Sequence, residues 1–143
     1  FTQYCLCRPE RHGEEARKLE RWRRIARQAL QQSGGLEQPF IEEPMALLQA
    51  VGRREEGDLR LFFHQEPLGG KTLHGYLSKV AKIVTILIGP EGGLAGEEIS
   101  FLLERGFLPV FMGETVLRSE TAALYALAAV RTIIQEREAW KLA

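Results

Sequence analysis

The run Ile86-Leu87-Ile88-Gly89-Pro90-Glu91-Gly92-Gly93 constrains this chain more than any other. A β-branched, apolar stretch enters a glycine-proline turn, and a helix-forming segment follows. About twenty residues later the plan repeats, as Phe107-Leu108-Pro109-Val110-Phe111-Met112-Gly113, a loop from Glu114 to Ser119, and a helix from Glu120. Strands that alternate with helices make an α/β fold with a parallel sheet and flanking helices. Two loops that leave parallel strands on the same side can build one pocket, because α/β proteins bind ligands at the carboxyl ends of their strands.

The remaining elements follow from periodicity. Residues 14–33 read as an amphipathic helix, with Leu19, Trp22, Ala26 and Ala29 on one stripe, Ile25 and Leu30 flanking it, and Ser33-Gly34-Gly35 as its stop. Met45 to Val51 reads as a short helix ended by Gly52, and Arg53 to Asp58 as a polar loop. Leu59 to His64 reads as a strand, Pro67 to Gly70 as loop, and Leu73 to Lys79 as a short helix. Ile83 to Ile88 is so continuously apolar that it predicts a central strand buried on both faces. Glu97 to Arg105 is a helix with acids in its first turn and Arg105-Gly106 at its end. Phe107 to Met112 is a strand. Glu120 to Glu138 is the longest helix, with Ala123, Leu127, Val130 and Ile134 on one stripe. Its alanines permit close packing, against the sheet or against a second subunit. No repeat or long linker interrupts the 143 residues, so one domain is expected.

Composition narrows the function classes. Hydrophobic content of 45% and charged content of 27% are those of an ordinary globular protein, and no apolar run approaches a membrane span. The chain begins at Phe1, without a signal-peptide pattern, and is expected to be part of a longer protein. Its net charge is zero, yet residues 8–27 hold eight Lys or Arg against four Glu. Such a face either attracts phosphate or is a solvated helix surface. Cys5 and Cys7, with His12 nearby, cannot complete a four-ligand zinc site and read as reduced thiols.

The glycines at 89, 92 and 93 let backbone approach a ligand. The segment is neither a Gly-Lys-Ser/Thr phosphate loop nor a G-x-G-x-x-G dinucleotide loop, so alone it is equally a tight turn. In Leu117-Arg118-Ser119-Glu120-Thr121-Ala122, Ser119 or Thr121 can cap the helix, and Glu120 favours its positive end. Arg118 either pairs with Glu91, Glu114 or Glu120, or meets an anionic ligand or a nucleic-acid phosphate.

Taken together, Ile88-Gly89-Pro90-Glu91-Gly92-Gly93-Leu94 and Met112-Gly113 followed by Val116-Leu117-Arg118-Ser119-Glu120-Thr121-Ala122 resemble the RsmE family. These are 16S ribosomal RNA uridine N3-methyltransferases of the SPOUT class. Glu20-Arg21-Trp22, Ile25-Ala26, Ala29 and Gln32-Ser33-Gly34 resemble the family's preceding segment, so the likeness runs from about residue 14 to 135. The resemblance implies a single SPOUT-like methyltransferase domain over residues 1–143 with a deep C-terminal trefoil knot. It also implies a cytoplasmic homodimer acting on small-subunit ribosomal RNA, and a preceding β-barrel RNA-binding domain that this sequence does not include. S-adenosylmethionine is the implied cofactor, held by Phe63, His64, Gln65, Ile88, Gly89, Pro90, Gly92, Gly93, Met112, Gly113, Val116 and Leu117. Arg118 is the implied catalytic group that holds the uracil or a phosphate, and Glu120 or Glu91 would accept the N3 proton or orient Arg118. Methyl transfer from a sulfonium requires no metal, and no membrane partner is implied. Two positions depart from the family: Thr115 and Gly35 stand where it often has arginine. The His64-Gln65-Glu66 run also varies around a family His-Glu pair.

Overall fold

In a computed structural model, residues 14–52, 56–79 and 81–139 are described. Cys5, Cys7 and His12 lie outside them, as do residues 53–55 of the polar loop. The chain divides into two compact units between residues 54 and 55.

The first unit is helical. α1 spans Glu14–Ser33, as its periodicity predicts, and Leu19 is its buried residue. The Gly35 N–H donates to the Leu30 carbonyl, closing the helix at the predicted stop. Arg23 Nη2 donates to the Ile41 carbonyl and ties the following extended segment to the helix. α2 is Leu47–Val51 and starts two residues later than the sequence predicts, with Ala46 at its N-cap and no side-chain acceptor there.

The second unit holds the sheet. β1 (Asp58–His64), β2 (Ile83–Ile88) and β3 (Leu108–Phe111) are all parallel, in the order β2-β1-β3. The central strand is therefore β1, and the expectation that β2 is central and buried on both faces is corrected. Every residue of β2 except Leu87 is only partly buried, whereas Arg60 to His64 of β1 are all buried. A β-branched run specifies a strand; it does not specify which strands flank it.

Alternation sorts the side chains. Leu61 and Phe63 of β1 share one face with Val110 of β3, and together with Leu77 they form a core with Ala126 and Val130. Ile86, Ile88 and Met112 pack against this cluster. Burying one such side chain contributes about 1.5–3 kcal/mol. The helix on this face, α5 (Ser119–Ala139), buries Ala122, Ala126 and Val130. The predicted stripe is thus turned by one residue, with Val130 common to both and Ala123, Leu127 and Ile134 only partly buried. Alanine's small side chain lets the helix axis approach the sheet, so the buried line runs through alanines rather than through Leu127.

The opposite face carries Arg60, a buried cation. Its Nε meets Asp58 Oδ2 at 3.2 Å, its Nη1 donates to the Arg105 carbonyl at 3.1 Å, and its guanidinium lies over the Phe107 ring. Thr85 Oγ1 of β2 donates to the other Asp58 oxygen at 2.8 Å. This network joins β1, β2 and the end of α4 (Gly96–Glu104) with every charge partnered. The Phe107 N–H donates to the Leu102 carbonyl and the Gly106 N–H to the Leu103 carbonyl, both at 3.0 Å, with Gly106 at φ 79. That is the double hydrogen bond of a Schellman stop. It draws Phe107 into the helix cap, so β3 begins at Leu108 rather than Phe107. α3 (Leu73–Tyr76) is shorter than predicted; Thr72 Oγ1 caps it by accepting from the Gly75 N–H.

Candidate active site

The carboxyl ends of the three strands converge. The His64 carbonyl accepts from the Met112 N–H at 3.0 Å, extending the β1–β3 ladder one residue past β3. Beside it, β2 ends at Ile88 and the chain turns through Pro90 to Gly93. The Gly93 N–H donates to the Pro90 carbonyl at 2.8 Å, and Gly93 adopts φ 76, which favours glycine. Gly89 is tight for another reason: a Cβ there would lie 3.0 Å from Leu94 Cγ.

Between these strand ends and the start of α5 lies an open cleft. It is lined by Phe63, His64 and Gln65 of the first wall, and by Ile88, Gly89, Pro90, Glu91, Gly93 and Leu94 of the second. Met112, Thr115, Val116, Leu117, Ser119 and Ala122 form the third. Of the residues that the resemblance assigns to the cofactor, all but Gly92 and Gly113 line it. Gly113 follows Met112 at φ 101 and turns the chain out of β3, and Gly92 faces open space. Leu94 and Ala122, which belong to the two motifs but were given no role with the cofactor, also line the cleft; both are apolar and carry no chemical signature of their own.

Arg118 and Glu120 do not line the cleft themselves, though both are adjacent in sequence to Ser119, which does. Arg118 is exposed, and its side chain has no hydrogen-bond or ion-pair partner among the described residues. The alternative pairing with Glu91, Glu114 or Glu120 is therefore absent. Its carbonyl accepts from the Ala122 N–H at 2.8 Å and opens α5.

Ser119 does something the sequence does not reveal. Rather than capping the helix through a backbone N–H, its Oγ donates across the cleft mouth to Glu91 Oε1 at 3.1 Å, with Glu120 Oε2 at 3.4 Å. A hydroxyl has one proton, so the shorter contact to Glu91 is the principal bond. It fastens the β2 loop to the start of α5, where the helix dipole also favours both carboxylates. On the helix that follows β2, the Ala95 N–H donates to Glu98 Oε2 at 2.9 Å and sets the entry to α4.

Fold and cleft together define an α/β domain whose ligand site is built from loops at the carboxyl ends of parallel strands. The RNA methyltransferase domain family matches residues 1–131, and the chain belongs to that family. It is similar to proteins named ribosomal RNA small subunit methyltransferase E. The one from Synechocystis is 31% identical over 137 residues, 94% of this chain and 44% of that protein. The one from Bacillus subtilis is 32% identical over 123 residues, 80% of this chain and 46% of that protein. Among solved structures, Lpg2936 from Legionella pneumophila, described as a methyltransferase in complex with the bound cofactor SAM, superposes with TM-score 0.77 at 35% identity. It is covered over 54% of its length by 92% of this chain. The ribosomal RNA small subunit methyltransferase E of Neisseria gonorrhoeae, bound to S-adenosyl methionine, gives TM-score 0.74 at 26% identity, over 90% of this chain and 53% of that one. The chain thus spans about half the length of the relatives it matches. No helix among the described residues is long and apolar enough to cross a membrane.

Proposed function

We propose that this chain is the cofactor-binding domain of an S-adenosylmethionine-dependent methyltransferase that methylates N3 of a uridine in 16S ribosomal RNA. The cleft carries the proposal. Its lining is mostly apolar side chains and loop backbone, with Gly89 and Gly93 presenting main chain rather than side chain to it, and this fits an adenosine ring held by main-chain groups. When bound, S-adenosylmethionine supplies a methyl carbon already attached to a sulfonium. Phe63, Ile88, Leu94 and Leu117 exclude water from it, and the backbone of residues 88–93 and 112–117 orients it.

Uridine N3 must lose its proton as the new N–C bond forms and the methyl carbon's bond to sulfur breaks, its electron pair leaving with a neutral thioether. Arg118, free of protein partners among the described residues, holds the uracil and stabilises the negative charge that develops there. Glu120 accepts the proton, whereas Glu91 is engaged by Ser119 and serves to hold the loop.

The same proposal extends to a cytoplasmic homodimer, a single methyltransferase domain over residues 1–143 and a knotted path near the cleft. Exposed Leu124 and Tyr125 on α5, 70% and 48% accessible, support a subunit contact on that helix. Titration calorimetry with S-adenosylmethionine tests the reading, and no binding at millimolar ligand would sink it. Arg118→Ala should keep cofactor affinity and lose about 10²–10³-fold in methylation rate. RNA binding by a protein that fails to bind S-adenosylmethionine would instead favour a ribosome-assembly module, for which the missing arginine at Thr115 is the motivating departure.

A further inference from the structure

α1 carries six Lys or Arg and three Glu, and its charge is not scattered. At about 100° per residue, Arg17, Arg21 and Arg24 fall on one line, directly opposite the stripe of Leu19, Trp22 and Ala26. All three are exposed, and Arg27 stands beside them. None of the four side chains has a hydrogen-bond or ion-pair partner among the described residues. Glu20, three residues after Arg17 and four before Arg24, forms no ion pair with them either. Beyond Arg24 the line continues through exposed Gln28, uncharged but rich in hydrogen-bonding groups.

A helix face that is merely solvated tends to alternate Glu and Lys at i, i+4, which stabilises it. Like charges at that spacing do the reverse. Here Arg17, Arg21 and Arg24 repel one another, and no ion pair among the described residues neutralises any of them. A chain of phosphates would compensate that repulsion. The row from Arg17 to Arg27 extends about 15 Å at 1.5 Å per residue, long enough to span several phosphates. Guanidinium, with its fork of donors, suits phosphate oxygens better than ammonium does.

We propose that the Arg17–Arg21–Arg24 face of α1, with Arg27 at its flank, binds the phosphodiester backbone of RNA without reading its bases. The choice of RNA as the polyanion rests on the function proposed above; the face itself is argued from α1 alone.

The test is the salt dependence of binding. A short fluorescein-labelled single-stranded RNA is titrated with the protein at several salt concentrations, without cofactor, and followed by anisotropy. Each phosphate contact contributes about 0.7 to the slope of log K against log salt on a single strand. The triple variant Arg17→Gln, Arg21→Gln, Arg24→Gln should therefore lower the slope by about 2 and weaken binding about 100-fold at about 0.1 M salt, if affinity extrapolated to about 1 M is unchanged. Glutamine is nearly as good a helix former as arginine, and circular dichroism reports whether α1 persists. The triple Lys71→Gln, Lys79→Gln, Lys82→Gln removes the same charge from exposed positions of the second unit, and should change the slope little.

Equal losses from the two triples would reduce the effect to net charge and overturn the proposal, as would an unchanged slope in the arginine triple. Polyglutamate that competes with the RNA at equal charge concentration would overturn the choice of RNA in favour of an acidic protein. Because binding is read without cofactor or turnover, failure to bind S-adenosylmethionine would refute the proposed activity and leave this result standing.

Discussion

Three glycines sit within five residues of the β2 loop, and alanine at each should have a different cost. At Gly93 the obstacle is backbone conformation. Its φ of 76 is left-handed, while the nearest atom to an added Cβ is Gln65 Nε2 at 3.9 Å, so there is room but no comfortable dihedral. An L-residue in that region costs about 1–2 kcal/mol. At Gly89 the obstacle is Leu94, with Cγ at 3.0 Å, Cδ2 at 3.4 Å and the backbone N at 3.5 Å from the added carbon. Leu94 must shift, and overpacking of this kind costs about 1–3 kcal/mol. Gly92 has neither problem: its φ is not positive and nothing lies within 4 Å of its Cβ. Alanine there should be neutral, or stabilise slightly by restricting the unfolded chain, by about 0.4–1 kcal/mol. Thermal unfolding followed by circular dichroism measures all three, and the first two variants should melt about 3–8 °C lower. Calorimetry should show Gly89→Ala weakening S-adenosylmethionine, because the displaced Leu94 lines the cleft, while Gly92→Ala leaves affinity unchanged. A Gly92→Ala variant as unstable as Gly93→Ala would refute the assignment of the loop's strain to φ at a single residue.

Other perturbations separate further parts of the structure. Arg60→Ala should destabilise the sheet by about 3–5 kcal/mol in urea, because it leaves the Asp58 carboxylate, only 5% exposed, without its cation; a loss under about 1 kcal/mol would contradict a buried pair. Ser119→Ala removes the bond to Glu91 and should raise the Kd for S-adenosylmethionine about 2- to 10-fold, with Ser119→Thr restoring it; identical behaviour of Ala and Thr would deny the bond a positioning role. Leu124→Glu with Tyr125→Glu should convert any dimer to monomer in sedimentation, without unfolding a chain in which both residues are exposed.

The sequence revealed its strands and helices where a local pattern suffices. Leu59 to His64 and Ile83 to Ile88 needed only β-branched and aromatic runs, and α1 only its period. Which strand lies in the middle is a question of pairing, and β2 has the more apolar sequence while β1 has the more buried position. The β1 interior even admits Arg60, whose charge argues for the surface until Asp58, Arg105 and Phe107 are brought around it. The cleft was legible because its walls follow glycine motifs, and a strand end followed by Gly is a local signal. The link from Ser119 to Glu91 joins residues far apart in the chain, and each alone has a simpler local use as a helix cap or a solvated acid. Ala122 faces the cleft only because α5 packs through its alanines.

No two walls of the cleft are neighbours in sequence: residues 63–65, 88–94 and 112–122 come together only when β1 has paired with β2 on one side and β3 on the other. Both closures lose chain entropy before either loop can touch a ligand, so the binding site has no partial form. A ligand that fills it recognises only the finished sheet. At a hundredfold excess over its Kd, it would add about 2.7 kcal/mol to the stability of the entire unit. Conversely, damage at the amino end of β1, where Arg60 lies, would register as weaker apparent binding at the carboxyl end through nothing more than a smaller folded fraction. The cleft is thereby a gauge of the sheet behind it.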